Sequence, residues 1–365
     1  MTSCWPAVLA AVGMLAPAID HPHAQGSLRV SGPTRVLESL APGSDSVAFA
    51  SAIAATRLSD GTIAVAVPLT PRIAFFDQAG RLTRVALRKG TGPGEFLTLR
   101  WIGQCARDTL FAFEQARVQV LSRQGAYIRT IDAGGRLPGQ LFCNRSGLIA
   151  AVGAGNWEAP AGKGLRRVSA DAWLFDTDGK ERARLGTVPV TDAAWNGSYW
   201  APVPLGNQMF MTLDGADAIM STGESGILST WRGTQWSVGP DLGRIERRPA
   251  TADDLEAGIS SLLALAPNRN ARGLRDQFAA LPRHETIPAV SRVVSDGQGR
   301  VWSQLSPPGS APTRLRWFDR PSGRSGDLVV PAALILQEVG RDYLLAIEEM
   351  PTGEQRVVEY AVVAR

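Results

Sequence analysis

Histidine is almost missing from this chain of 365 residues. Three occur, and two of them, His21 and His23, stand near the start. His284 is left alone in the body of the protein, which excludes a three-histidine zinc centre and argues against a Ser-His-Asp triad. Its setting, "LPRHETIP", reads as surface ahead of a repeat. Lysine is equally scarce: Lys89, Lys163 and Lys180 are the only ones among 38 cationic residues. The arginines that make up the remainder are spread along the whole chain. Nucleic-acid binding needs a contiguous cationic footprint, so the net charge of +4 does not indicate that partner. Three cysteines are too few for a Cys-rich metal framework. No hydrophobic run is long enough to span a bilayer; the apolar stretch over residues 5–18 falls short.

That stretch has another reading. "MTSCWPAVLAAVGMLAPAIDHPHAQG" ends in small residues and offers cuts after Ala18 and Ala24, so residues 1–24 are expected to be a secretory signal peptide. No Lys or Arg precedes the apolar run, and a disordered tail or a misplaced start is the alternative. Export to the periplasm or medium would remove Cys4 and leave Cys105 and Cys143. An even count in an oxidising compartment points to a disulfide, with two buried thiols as the other possibility.

Self-similarity organises the remainder, residues 25–365, as one domain. "DGTIAVAV" precedes "RIAFFDQAGRLTRVAL", "DTLFAFE" precedes "RVQVLSRQGAYIRTI", and "QGRVWSQL" precedes "RLRWFDRPSGRSGDLVV". Asp60-Gly61, Asp178-Gly179 and Asp296-Gly297 supply hairpin turns. Short antiparallel units at this spacing predict an all-β, six-bladed β-propeller, with units near 50–90, 97–133, 137–190, 204–246, 286–331 and 332–365. The last unit lacks a fourth strand, and "TRVLESLA" (34–41) is free to supply it, closing the ring with strands from both ends. The fourth unit is irregular, which leaves five or seven blades open. Residues 251–282 read as two short helices inserted between units four and five, with Thr251 and Asp254 as a capping box and Pro267 as a stop. The insertion is either a lid or a strut over an apolar patch.

"KGTGPGEF" (89–96) looks at first like a phosphate cradle. Pro93 has no N–H to give, Glu95 would repel the phosphate, and the following "LTLRWIGQ" is not an amphipathic helix. The glycines are read instead as a joint between two blades. This stretch, with its Asp-Gly turn, its Arg-Ile run and the "FDQAG" that precede it, resembles the NHL-type repeat. It is similar to bacterial six-bladed propellers whose first blade ends in Gly-x-Gly-Pro-Gly-Glu-Phe. The resemblance implies a fold and a tendency to bind partners on one face, with no single reaction.

Two sets of residues are candidates for a site. Loops around unit three, 153–173 and 191–204, gather Trp157, Trp195, Tyr199 and Trp200 with Arg166 and Arg167. Aromatic platforms with a few polar groups suit a protein, peptide or carbohydrate ligand, although such residues also cap small cores. Some six-bladed propellers are lactonases with channel calcium held by oxygen ligands; Glu114, Asn144 and Asp171 lie near strand ends and would serve that alternative. The leading expectation is a secreted or periplasmic binding module with no cofactor; the alternative is a calcium-dependent hydrolase of the lactonase type.

Overall fold

A computed structural model describes residues 28–37, 52–68, 71–86, 88–114, 117–131, 138–158, 161–264, 271–305, 307, 311–350 and 354–364. The expected leader and Pro267 lie outside the described residues. Strand β1 (Leu28–Leu37) stands apart from the first blade, which is β2 (Ala54–Arg57), β3 (Ile63–Val67), β4 (Arg72–Phe76) and β5 (Leu82–Ala86). A parallel ribbon of β6 (Arg88–Lys89) and β7 (Glu95–Phe96) leads into blade two. That blade is β8 (Trp101–Ala106), β9 (Thr109–Glu114), β10 (Arg117–Ser122) and β11 (Tyr127–Ile131). Blade three has five strands: β12 (Pro138–Cys143), β13 (Leu148–Gly153), β14 (Leu165–Asp176), β15 (Glu181–Trp195) and β16 (Trp200–Pro202). Blade four is β17 (Phe210–Asp214), β18 (Asp217–Ser221), β19 (Ile227–Trp231) and β20 (Trp236–Asp241). Helices α1 (Ala252–Ala264) and α2 (Ala271–Ala279) come next. They precede blade five, β21 (Arg292–Ser295), β22 (Arg300–Gln304), β23 (Thr313–Asp319) and β24 (Ser325–Val330). Blade six is β25 (Leu334–Val339), β26 (Tyr343–Glu349) and β27 (Gln355–Ala364), completed by β1.

The first strands of the blades, β2, β8, β12, β17, β21 and β25, each touch the next, and β25 touches β2 again. This closes a six-bladed propeller around a central channel. The two helices follow β20 and precede β21, and the helical periodicity of 251–282 is observed as α1 and α2. Middle strands are packed between neighbouring blades on both sides, which is why "IAVAV" reads as an unbroken apolar run and all five residues are buried. Closure also follows the expectation. Strand β1 starts at Leu28, ahead of "TRVLESLA", whose residues 38–41 lie outside the described residues. It pairs antiparallel with β27 from Leu28↔Ala364 to Leu37↔Val357. The glycines that turn the third strand into the fourth, Gly80, Gly125, Gly179 and Gly233, have φ of 79°, 76°, 82° and 73°. A side chain at these positions would be strained by the left-handed backbone.

Neighbouring inner strands also carry the cysteines. Cys105 of β8 and Cys143 of β12 are joined in a disulfide with a Cα separation of 5.2 Å. The bridge closes a loop of 38 residues, for which chain entropy alone suggests ~3–4 kcal/mol. Reducing it, or replacing both residues by serine, is expected to lower the melting temperature by roughly 4–8 °C. Calorimetry with and without reductant measures this; an unchanged transition would remove the bridge from any account of stability.

Candidate functional site

The antiparallel order of each blade sorts its loops onto two faces. Turns between strands one and two, and between three and four, open on the turn face. Loops between strands two and three, and connections to the next blade, open on the crossover face. The glycine loop, the helices and the projecting part of blade three all lie on the crossover face.

The glycine loop is filled from within. The Gly92 amide donates to Oε2 of Glu95 at 3.0 Å, and the Gly94 amide to Oε1 of Gln119 at 2.7 Å. A Cβ on Gly90 would lie 2.1 Å from the same Glu95 oxygen, so glycine is required there for the carboxylate to fold back. The donors a phosphate would need are thus taken by Glu95 and Gln119. Phe96, fully buried, anchors the loop between blades one and two.

Blade three departs from the expected loops. Residues 165–173 and 191–195 are strand, because β14 and β15 continue past the end of β13, and β15 turns back into β16 as a hairpin standing out from the crossover face. Alternating small and apolar residues on both strands give the projection an inner side. Ala194, Ala201 and Val203 on that side bury Ile259, Leu262, Phe278 and Leu281 of the helical insertion. The two irregular segments therefore form one cap. Helix α1 starts at the predicted box: the Thr251 amide donates to Oδ2 of Asp254 at 2.8 Å, and the Asp254 amide to Oγ1 of Thr251 at 3.2 Å. Arg248 donates to both oxygens of Asp254, at 2.5 and 2.6 Å. The guanidinium outweighs burial and holds the Asp254 pKa down to about 2. A carboxylate depressed on folding contributes stability above its unfolded pKa, lost as pH falls through its folded value. The cap should therefore lose ~2 kcal/mol between about pH 4 and pH 2, and Asp254→Asn should abolish that part of the acid transition. Tryptophan fluorescence of acid unfolding in both proteins checks this.

A buried carboxylate ties hairpin and insertion together. Oδ1 of Asp192 accepts from Arg167 Nε at 2.5 Å, and Oδ2 accepts from the Asn207 amide at 3.0 Å and its Nδ2 at 2.9 Å. His284 Nε2 lies 2.7 Å from the same Oδ2. Burial raises the Asp192 pKa, but the hydrogen bonds from His284 and Arg167 reverse this and hold it below the usual carboxylate value. Arg167 continues to the exposed Glu224. His284 is thus not a bystander on the surface, as its sequence setting suggested. It is half-buried and docks the chain after α2 onto blade three. Nothing in "LPRHETIP" signals this, since its partner is 92 positions away.

The six residues of the aromatic set separate. Trp157, Trp195 and Trp200 share a small core with Val168 and Ala193 at the hairpin. Trp195 and Trp200 meet edge to face at 5.9 Å, and the Arg166 guanidinium stacks 5.0 Å from the Trp200 ring. Trp200 is only 7% exposed, while Trp157 and Trp195 remain partly open. Arg167 turns away to Asp192, and exposed Tyr199 reaches Gln277 of α2 at 3.5 Å. The oxygen ligands of the calcium alternative are not brought together. Asn144 lies in a first turn of blade three, on the turn face, whereas Glu114 and Asp171 lie toward the crossover face. Glu114 accepts from Arg117 at 2.7 Å and from the Leu97 amide at 2.8 Å. Asp171 accepts from Arg184 and Thr187 at 3.0 and 2.8 Å. These three residues do not fit one calcium ion. Among the described residues no three His, Cys, Asp or Glu side chains converge on a metal position.

The central channel, about 590 Å³, is unequal at its ends. On the turn face Arg145 of blade three reaches across the axis to the opposite blade. It donates to Oε1 of Glu338 at 2.6 Å, to the Tyr343 hydroxyl at 2.9 Å and to the Arg57 carbonyl at 2.5 Å. Burial, with the Glu338 charge beside it, pushes the Tyr343 hydroxyl far above its usual pKa, so it stays a donor to Glu338. The other mouth opens on the crossover face beside α1. There Gln208 and Phe210 line both the channel and an adjoining pocket of about 130 Å³ beneath Ala257, Gly258 and Leu262. From sequence, the ligand face is expected at a mouth built by the unit-three insertion and the helical segment, with its residues on the unit-three loops. Gln208, Phe210 and Gly258, which line this mouth, are not among them, because its walls come from residues far apart in the chain.

No protein-family model matches the chain, and no curated protein matches it in sequence. Solved structures do resemble it. A member of the DUF4221 family from Bacteroides vulgatus superposes with a TM-score of 0.54 at 10% identity, covering 93% of this chain and 100% of that one. A protein of Bacteroides fragilis, proposed to be exported, gives a TM-score of 0.51 at 10% identity, covering 94% and 97%. At such identity the likeness is one of fold: the chain shares the propeller architecture of these bacterial proteins.

Proposed function

We propose that this protein is a binding module of the NHL-like propeller kind, working in the periplasm or outside the cell, with its ligand face on the capped side of the ring. One observation carries the reading. The two largest departures from the repeat, the projecting hairpin and the helical insertion, pack on each other beside the channel mouth opposite the one that Arg145 bridges. A cap that served only to cover apolar surface would not need to stand at that mouth. Export is supported by the Cys105–Cys143 disulfide, which persists in oxidising compartments, and by the proposed export of one structural neighbour. No described helix is long and apolar enough to cross a membrane.

A cavity of this size suits a ligand of metabolite dimensions. The hairpin tip, with Tyr199 exposed and Trp195 partly open, offers a second contact surface for a peptide or carbohydrate chain. The test is a thermal-shift screen of sugars, amino acids, organic acids and short peptides, followed by hydrogen exchange on any ligand found. Protection is expected in residues 203–210, 254–262 and 288–292. Protection confined to the turn face or the outer strands would overturn the assignment of the ligand face.

A further inference from the structure

Charge is distributed unevenly along the channel. Its two carboxylates, Asp296 and Glu338, lie toward the turn face, and each has an arginine close by: Arg300 at 4.0 Å and Arg145 at 2.6 Å. The crossover mouth has the opposite character. Arg292 opens β21 and Arg100 immediately precedes β8, so both stand at the crossover ends of inner strands, on blades that face each other across the ring. Neither forms an ion pair among the described residues. Arg292 is the more unusual of the two. It is half-buried in the channel wall, donates to the Leu336 carbonyl at 2.9 Å, and has a buried Nε with no partner. Burial lowers its pKa to about 10, so it remains charged at neutral pH. A partly desolvated charge without a counter-ion in the protein is stabilised by an anion that enters from solution. Deeper in the channel, on the strand that Arg100 leads into, Gln104 is buried with both amide atoms unpaired. The lining thus offers hydrogen-bonding groups that the protein itself does not use.

We propose that the crossover mouth of the channel binds a small organic anion, through a carboxylate or a phosphate ester group, with Arg292 receiving the charge and Arg100 facing it from the opposite blade. This rests on the capped side being the ligand face, and it names the class of ligand. Guanidinium forks match the geometry of both groups, and a nearly closed channel favours a metabolite over a polymer.

The experiment uses the full oxidised chain at constant ionic strength, with citrate, glucuronate and inorganic phosphate as probes and glucose as the neutral control. At about 10 mM, at least one anion should raise the melting temperature while glucose does not, and the larger response tells carboxylate from phosphate. Arg292→Met should raise the melting temperature of the ligand-free protein, since it removes a half-buried charge that has no ion pair among the described residues. It should also weaken the anion roughly tenfold or more. Arg100→Gln should weaken binding without that stabilisation, and it decides the matter if Arg292→Met fails to fold. Arg29→Gln, at an exposed position of β1, should change neither. No response to any of the three anions, or equal responses in the wild type and both mouth variants, overturns the anion site. If a neutral compound then protects the same mouth, the ligand face stands and only the charge assignment falls. If nothing protects it, both fall.

Discussion

A chain lacking residues 28–37 should lose its cooperative fold, with soluble yield and melting temperature both collapsing. Strand β1 completes blade six, so its removal leaves β27 as an open edge with unpaired amides and carbonyls, a template for aggregation. The side chains matter as much as the backbone. Leu37 is fully buried and packs between blades six and one with Ile63, Leu345 and Val357. Losing such a leucine costs ~2–5 kcal/mol. Arg35 is buried at the same seam, donating to the Gly61 carbonyl at 2.8 Å and pairing with Glu359 at 3.4 Å. Together these losses approach the ~5–15 kcal/mol that keeps a typical domain folded. Leu37→Ala provides a graded version. Thermal unfolding and light scattering of both variants measure the effect, and a truncated chain that melts as the wild type does would show that the ring closes without its N-terminal strand.

Replacing Asp192 by alanine should destabilise the protein by ~3 kcal/mol or more, the largest effect expected from one polar substitution. The carboxylate is buried and serves three residues from separate segments, Arg167, Asn207 and His284. Its removal leaves a half-buried guanidinium and a buried amide with fewer partners, in addition to the Asn207 Oδ1 that already has none. Asp192→Asn should cost less, because the shape and part of the hydrogen bonding survive. The damage should also be local: amide exchange over 252–279 should quicken before that of β17 or β18, since His284 docks the segment following α2. Denaturant unfolding with exchange measurements separates these outcomes. A change within ~0.5 kcal/mol would mean that the network adds nothing to the cap's attachment.

His284 and Arg292 show where reading the chain residue by residue stops. An isolated histidine in a polar loop carries no trace of an aspartate two segments earlier. Arg292 in "SRVVSDG" resembles any arginine heading a strand, and only ring closure makes it face a channel with no acid beside it. The glycine loop was legible, because Pro93 and Glu95 are incompatible with a phosphate cradle whatever surrounds them. The cysteines were legible in part: their equivalent places in successive units put them on adjacent inner strands. Trp157, Trp195 and Trp200 were correctly grouped by composition, yet their distribution between small core and surface depended on β14 and β15 extending beyond the blade.

Local chemistry by itself determined the strands, the positive-φ glycine turns, the repeated four-stranded unit, the capped helix α1 and the strand shared between the two ends, since each follows from short-range pattern and backbone preference. The tertiary structure alone decided which face is capped, that Arg145 bridges one mouth of the channel, and that Arg292 has no counter-ion among the described residues at the other. Those properties depend on distances between blades, and the period of a repeat holds no information about what meets across its axis.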